Sequence, residues 1–98
     1  MQSREDILRC LQEHQPIMQR LGVRRLGLFG SVARGQGRAE SDLDFLVELE
    51  HNSFDAYMDL KFFLEDLFQC PVDLVLADTI KPRLRDEILK ETVYVQGS

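Results

Sequence analysis

Two aspartates, Asp42 and Asp44, begin a segment that alternates between apolar and mostly polar residues, and this alternation constrains the segment to a β-strand. Its apolar positions are Leu43, Phe45, Val47 and Leu49. A period of two is typical of a strand with one buried face. Side chains two apart on a strand point to the same side, about 6.5 Å apart. The two carboxylates can therefore share metal ions that lie about 3.5–4 Å from each other.

A glycine-rich turn, Gly30–Gly35, follows another predicted strand, Val23–Phe29. Glycine lets the backbone approach a ligand closely, and the free N–H groups at a helix start attract anions. Ser31 adds a hydrogen-bond donor. Arg34 lies three residues on, hence on the same side of a helical turn, and its guanidinium suits phosphate oxygens. The turn and the two aspartates together predict a site for a nucleotide and magnesium.

A third candidate carboxylate, Asp73, lies in the apolar segment Pro71–Leu76 and points away from the face formed by its apolar neighbours. An acid in an otherwise apolar strand is costly unless something pairs with it. We therefore expect Asp73 to face a metal ion or, alternatively, an arginine such as Arg24 or Arg25.

The pattern G-S-x-A-R-G-x-x-R-x-x-S-D-x-D, which runs from Gly30 to Asp44, resembles the signature of the beta-type DNA polymerase nucleotidyltransferase superfamily. Within it, the chain resembles the minimal nucleotidyltransferases, the antitoxin half of prokaryotic HEPN/MNT toxin–antitoxin pairs. The resemblance covers nearly the whole chain. It implies an α/β fold of the polymerase beta-like type, in which helices pack against a mixed sheet of three or four strands.

Carried over by position, the resemblance implies that Asp42 and Asp44 bind two Mg²⁺ ions and that Asp73 completes the site beside an attacking hydroxyl. Three residues of the turn match the positions that hold the triphosphate: Gly30, Ser31 and Arg34. The implied reaction transfers AMP from ATP to a tyrosine hydroxyl of a HEPN-type ribonuclease toxin. The chain would then act as an antitoxin in a hetero-oligomer with that toxin.

Two alternatives stay open at this point. The chain could be a noncatalytic antitoxin that masks its toxin, although the intact carboxylates and phosphate turn favour an enzyme. It could instead transfer a nucleotide to a small-molecule hydroxyl, which is the weaker alternative because we expect no second domain to enclose such an acceptor.

Length and composition favour one domain over residues 1–98, since 98 residues can bury a single core. The net charge of −5 argues against direct binding of nucleic acid, which normally needs a basic surface. Cys10 and Cys70 are too few to suggest a disulfide framework and should be reduced thiols. Because the sequence has no signal peptide and no long apolar stretch, we expect a soluble cytoplasmic protein without membrane contact.

The remaining pattern predicts three main helices. The first begins at about Ser3 in a capping box and is broken or restarted by Pro16. The last follows a cap at Asp78 or Thr79, has Pro82 near its first turn, and leads to a short strand near the end of the chain. Between them, Asn52 or Ser53 caps a helix at 54–68 that is apolar on more than one side. We expect this helix to pack in the core or to reserve part of its surface for a partner; its interface candidates are Tyr57, Phe62 and Phe63.

Overall fold

A computed structural model of the chain describes residues 3–30, 43–51 and 53–95. Its elements follow one another as α1 (Arg4–Glu13), α2 (Gln15–Arg20), β1 (Val23–Phe29), β2 (Leu43–Leu49), α3 (Phe54–Phe68), β3 (Val72–Leu76), a 3-10 turn (Ala77–Thr79), α4 (Pro82–Glu91) and β4 (Val93–Tyr94). The predicted bounds of β1 and α3 agree with the structure. The predicted β2 segment is confirmed from Leu43 onward, and its first residue, Asp42, lies outside the described residues.

The strands form one sheet in the order β3-β2-β1-β4. β1 pairs antiparallel with β2 and with β4, whereas β2 and β3 are parallel. α3 provides the crossover that a parallel strand pair requires. The predicted mixed sheet packed by helices is therefore confirmed, with four strands.

The hydrophobic core lies between one face of this sheet and the helices α1, α2 and α3. β2 contributes its predicted apolar positions, of which Phe45 is fully buried and stacks on Phe68 of α3, with ring centroids 6.0 Å apart. Ile7 and Leu11 of α1 belong to the same cluster. Because this packing commits one face of β2, the residues between the core positions are directed to the opposite face of the sheet.

The N-terminal helix begins as predicted. The Ser3 hydroxyl accepts a hydrogen bond from the Asp6 backbone N–H at 3.2 Å, and the Asp6 carboxylate accepts one from the Ser3 N–H, which completes the capping box. The helix ends before α2, whose first turn contains Pro16. Proline is tolerated there because the N–H groups of a first turn have no partner within the helix.

The predicted cap of the last helix is wrong. Asp78 and Thr79 belong to the 3-10 turn, where the Thr79 hydroxyl donates to the Leu76 carbonyl oxygen at 2.8 Å. α4 begins later, after Lys81, without a side-chain cap. Within the described ranges, no helix is both long and apolar enough to cross a membrane.

The apolar helix α3 divides its aromatic residues between the core and the surface. Tyr57 and Phe63 are half-buried and pack against the core, as expected for a helix that packs in the core. Phe62 is 59% exposed and Phe54 is 76% exposed. Whether Phe62 contributes to an interface stays a prediction.

Candidate functional site

Asp44 and Asp73 lie side by side on the face of the sheet opposite the core. The parallel register pairs Asp44 of β2 with Asp73 of β3, and the antiparallel register pairs Asp44 with Phe29, the last residue of β1. Neighbouring strands are about 4.8 Å apart, and paired residues point to the same face. Asp44 is half-buried and Asp73 is exposed. Two of the three predicted carboxylates are thus neighbours on one face of the sheet.

Gly30, the residue that directly follows β1, lies against the same surface. It has a positive φ of 81°, a conformation that side chains disfavour. A Cβ at this position would overlap Oδ2 of Asp44 and would lie 2.9 Å from its Cγ. The absence of a side chain at residue 30 therefore allows the glycine and the Asp44 carboxylate to adjoin, although they are fourteen positions apart in the sequence.

Three of the predicted site residues, Ser31, Arg34 and Asp42, lie outside the described residues, and their roles stay predictions. In the described part of the chain, no group of three or more histidine, cysteine or acidic side chains could hold a metal ion. The pair that is described has the chemistry that Mg²⁺ prefers, namely carboxylate oxygens held on rigid elements. The residues present therefore fit a magnesium site that needs further ligands.

The environment of Asp73 differs from the sequence-based expectation. Its carboxylate is exposed, so β3 does not bear the cost of a buried acid and needs no partner on that account. Arg25 pairs with Glu48 at 3.7 Å and lies over the Tyr94 ring, 3.9 Å from its centroid. Among the described residues, neither Arg24 nor Arg25 forms an ion pair with Asp73. The alternative that Asp73 faces Arg24 or Arg25 is therefore not supported by the described residues.

The sequence pattern and the fold together identify the family. A sequence model of the nucleotidyltransferase domain matches residues 5–95, and the chain belongs to this family. It is similar to the protein adenylyltransferase MntA of Thermococcus cleftensis, with 38% identity over 93% of this chain and 94% of the relative. The resemblance inferred from the motif is thereby confirmed.

Solved structures place the fold among the minimal nucleotidyltransferases. A structure described as a candidate minimal nucleotidyltransferase superposes with a TM-score of 0.77 at 40% identity, over 88% of this chain and 90% of that one. A toxin–antitoxin complex with AMP-PNP gives a TM-score of 0.70 at 21% identity, over 89% and 73% of the two chains. A complex of a tri-AMPylated HEPN toxin with an MNT antitoxin from Shewanella oneidensis gives 0.59 at 21% identity, over 90% and 71%. At this identity, the last two show the shared fold alone.

Proposed function

We propose that this chain is a protein adenylyltransferase that transfers AMP from ATP to a tyrosine hydroxyl of a HEPN ribonuclease toxin and thereby acts as its antitoxin. The observation that carries the proposal is the adjacency of Asp44 and Asp73, together with the close approach of Gly30 to Asp44. It occurs in a chain that is similar over nearly its whole length to a protein adenylyltransferase. In this proposal residues 1–98 act as one domain in the cytoplasm, in a hetero-oligomer with the toxin.

In the proposed site, Asp42, Asp44 and Asp73 hold two Mg²⁺ ions, and the turn holds the triphosphate. The contacts with the triphosphate come from Gly30, Ser31 and Arg34. Support comes from the donor chemistry, since clustered carboxylates suit magnesium and an arginine beside backbone N–H groups suits phosphate. When bound, Mg²⁺ supplies positive charge that offsets the triphosphate and favours deprotonation of the acceptor hydroxyl.

The chemical step is a displacement at the α-phosphorus of ATP. The acceptor oxygen forms a bond to this phosphorus, the bond from the phosphorus to the bridging oxygen breaks, and pyrophosphate leaves. Asp73 is the carboxylate that faces the acceptor, and it receives the hydroxyl proton. Most of the rate enhancement comes from positioning of the acceptor and ATP and from electrostatic stabilisation of the charge in the transition state.

Coexpression with the toxin tests the proposal. The variant Asp42→Asn/Asp44→Asn removes two metal ligands while keeping side-chain size, and Glu50→Gln is a matched control, since its exposed carboxylate lies just beyond β2. We expect the double variant to copurify with the toxin and to lose neutralisation of toxin-dependent growth arrest, whereas the control keeps both. Unchanged neutralisation by the double variant would contradict the proposal and favour masking.

A further inference from the structure

Two side chains of α3 bond to the backbone of β3 on either side of Asp73. The Tyr57 hydroxyl donates to the carbonyl oxygen of Leu74 at 2.6 Å. The Glu65 carboxylate accepts a hydrogen bond from the backbone N–H of Val72 at 3.3 Å. The two bonded backbone atoms therefore belong to the residues immediately before and after Asp73.

These bonds lie along the free edge of the sheet. β3 has β2 on one side and no strand on the other within the described sheet. The Pro71 carbonyl oxygen accepts from Leu43 N–H of β2 at 3.2 Å, so the backbone groups of Val72 and Leu74 point outward. Such edge groups would otherwise bond only to water. Tyr57 and Glu65 thus form with the edge of β3 two of the hydrogen bonds that a further strand would form.

The side chain of Asp73 cannot itself be held by α3. Val72 and Leu74 are buried and belong to the core that α3 covers, so the intervening Asp73 points to the opposite, exposed face. The position of its carboxylate relative to Asp44 therefore depends on where the backbone of β3 lies. A shift of this edge strand would move the Asp73 carboxylate and leave Asp44 in place.

We infer that Tyr57 and Glu65 are positioning residues, which fix the Asp73 carboxylate beside Asp44 at the spacing that metal ions require. This inference rests on the proposed function, because it takes Asp73 as a ligand of the magnesium site. Groups that orient metal ligands commonly change metal affinity or activity by about 10- to 100-fold when they are removed. The sequence did not predict this role, since Tyr57 was assigned there to the core or to an interface.

Single substitutions separate the two bonds from the packing of α3. Tyr57→Phe keeps the ring and removes only the hydroxyl, and Tyr94→Phe is its control on the other described tyrosine. Glu65→Ala removes the acceptor, whereas Glu65→Gln keeps an oxygen that can accept the Val72 N–H. We therefore expect Tyr57→Phe and Glu65→Ala to behave alike, and Glu65→Gln and Tyr94→Phe to resemble the parent chain.

The primary readout is binding of Mn²⁺, as a probe of the magnesium site, to the full chain with AMP-PNP, measured by titration calorimetry. We expect the dissociation constant for Mn²⁺ to rise about tenfold in Tyr57→Phe and Glu65→Ala. Amide hydrogen exchange of β3 should accelerate in the same two variants. If both variants lower only the thermal stability, with Mn²⁺ affinity and exchange in β3 unchanged, the inference is overturned.

The calorimetric result distinguishes this inference from the proposed function. In one outcome, Tyr57→Phe binds Mn²⁺ more weakly than the parent chain does, but the parent chain transfers no AMP to the toxin. This outcome would support the positioning role and contradict the proposed activity. Transfer by the parent chain with Mn²⁺ affinity unaffected by either variant would support the activity and contradict the positioning role.

Discussion

The α-carbon of Gly30 adjoins the carboxylate of Asp44 so closely that a side chain at residue 30 would overlap the carboxylate oxygen. The contact joins the residue after β1 to the first half of β2, although the two residues are fourteen positions apart in the sequence. In the proposed site, the residues that hold the triphosphate and the carboxylate that binds the metal must adjoin in this way if one nucleotide is to touch both. The glycine is therefore required for its lack of a side chain as well as for its backbone conformation.

Gly30→Ala is expected to displace Asp44 and to lower AMP transfer by about a hundredfold or more, as small misplacements of catalytic groups do. Gly22→Ala is the matched control, because Gly22 has a similar φ of 86° but no atom within 4 Å of an added Cβ. Both variants should lose about 1–2 kcal/mol of unfolding free energy from the positive φ. Equal transfer by the two alanine variants, measured with radiolabelled ATP, would contradict this account.

Gly27→Ala tests the junction between β1 and β4. A Cβ at residue 27 would overlap Cγ2 of Thr92 and lie 3.0 Å from Cδ1 of Tyr94. We expect a loss of about 1–3 kcal/mol of unfolding free energy from this overpacking. Thr92→Ser removes Cγ2 and keeps the hydroxyl that donates to the Ile88 carbonyl oxygen at 2.6 Å, so it should restore part of the loss. Strictly additive effects in a double-mutant cycle by urea denaturation would exclude the steric explanation.

Ser53→Ala should destabilise the chain by about 1 kcal/mol, because it removes the N-cap of α3. The Ser53 hydroxyl accepts a hydrogen bond from the Ala56 backbone N–H at 3.1 Å. Ser53→Asp keeps an acceptor and adds a negative charge at the helix start, so its stability in urea should be close to that of the parent chain. Equal destabilisation by alanine and aspartate would show that this cap contributes little.

The Cys10 thiol should react slowly at neutral pH. Burial, together with the nearby Glu13 carboxylate, raises the pKa of this thiol above its usual value. Because the thiolate is the nucleophile, the alkylation rate should rise over a higher pH range than that of an unstructured cysteine peptide. Glu13→Gln should lower the pKa and speed alkylation only in part, since burial is the larger cause. A slower reaction in Glu13→Gln, followed by peptide mass mapping, would contradict this assignment.

Much of the fold was predictable because local signals are strong in this chain. β2 follows its period of two, and α3 has both a capping serine and a helix-length apolar pattern. The start of α4 was predicted wrongly because Thr79 is a good capping residue by type, yet its hydroxyl bonds backward to the Leu76 carbonyl oxygen. A side chain with two local partners cannot be assigned from the sequence alone.

The candidate site was predictable in composition and less so in geometry. The motif identified Asp44 and Gly30, but their close contact depends on the register between β1 and β2, which is a nonlocal property. The exposure of Asp73 was missed, because an apolar strand does not reveal whether both of its faces are covered. The edge bonds of Tyr57 and Glu65 likewise require the strand order, which no local pattern contains.

The most direct test of the central claim is the intact mass of the toxin purified with this chain, before and after incubation with ATP and Mg²⁺. The account predicts that the toxin gains whole AMP units with the parent chain and none with Asp42→Asn/Asp44→Asn. A stable complex in which the toxin never gains mass would contradict it.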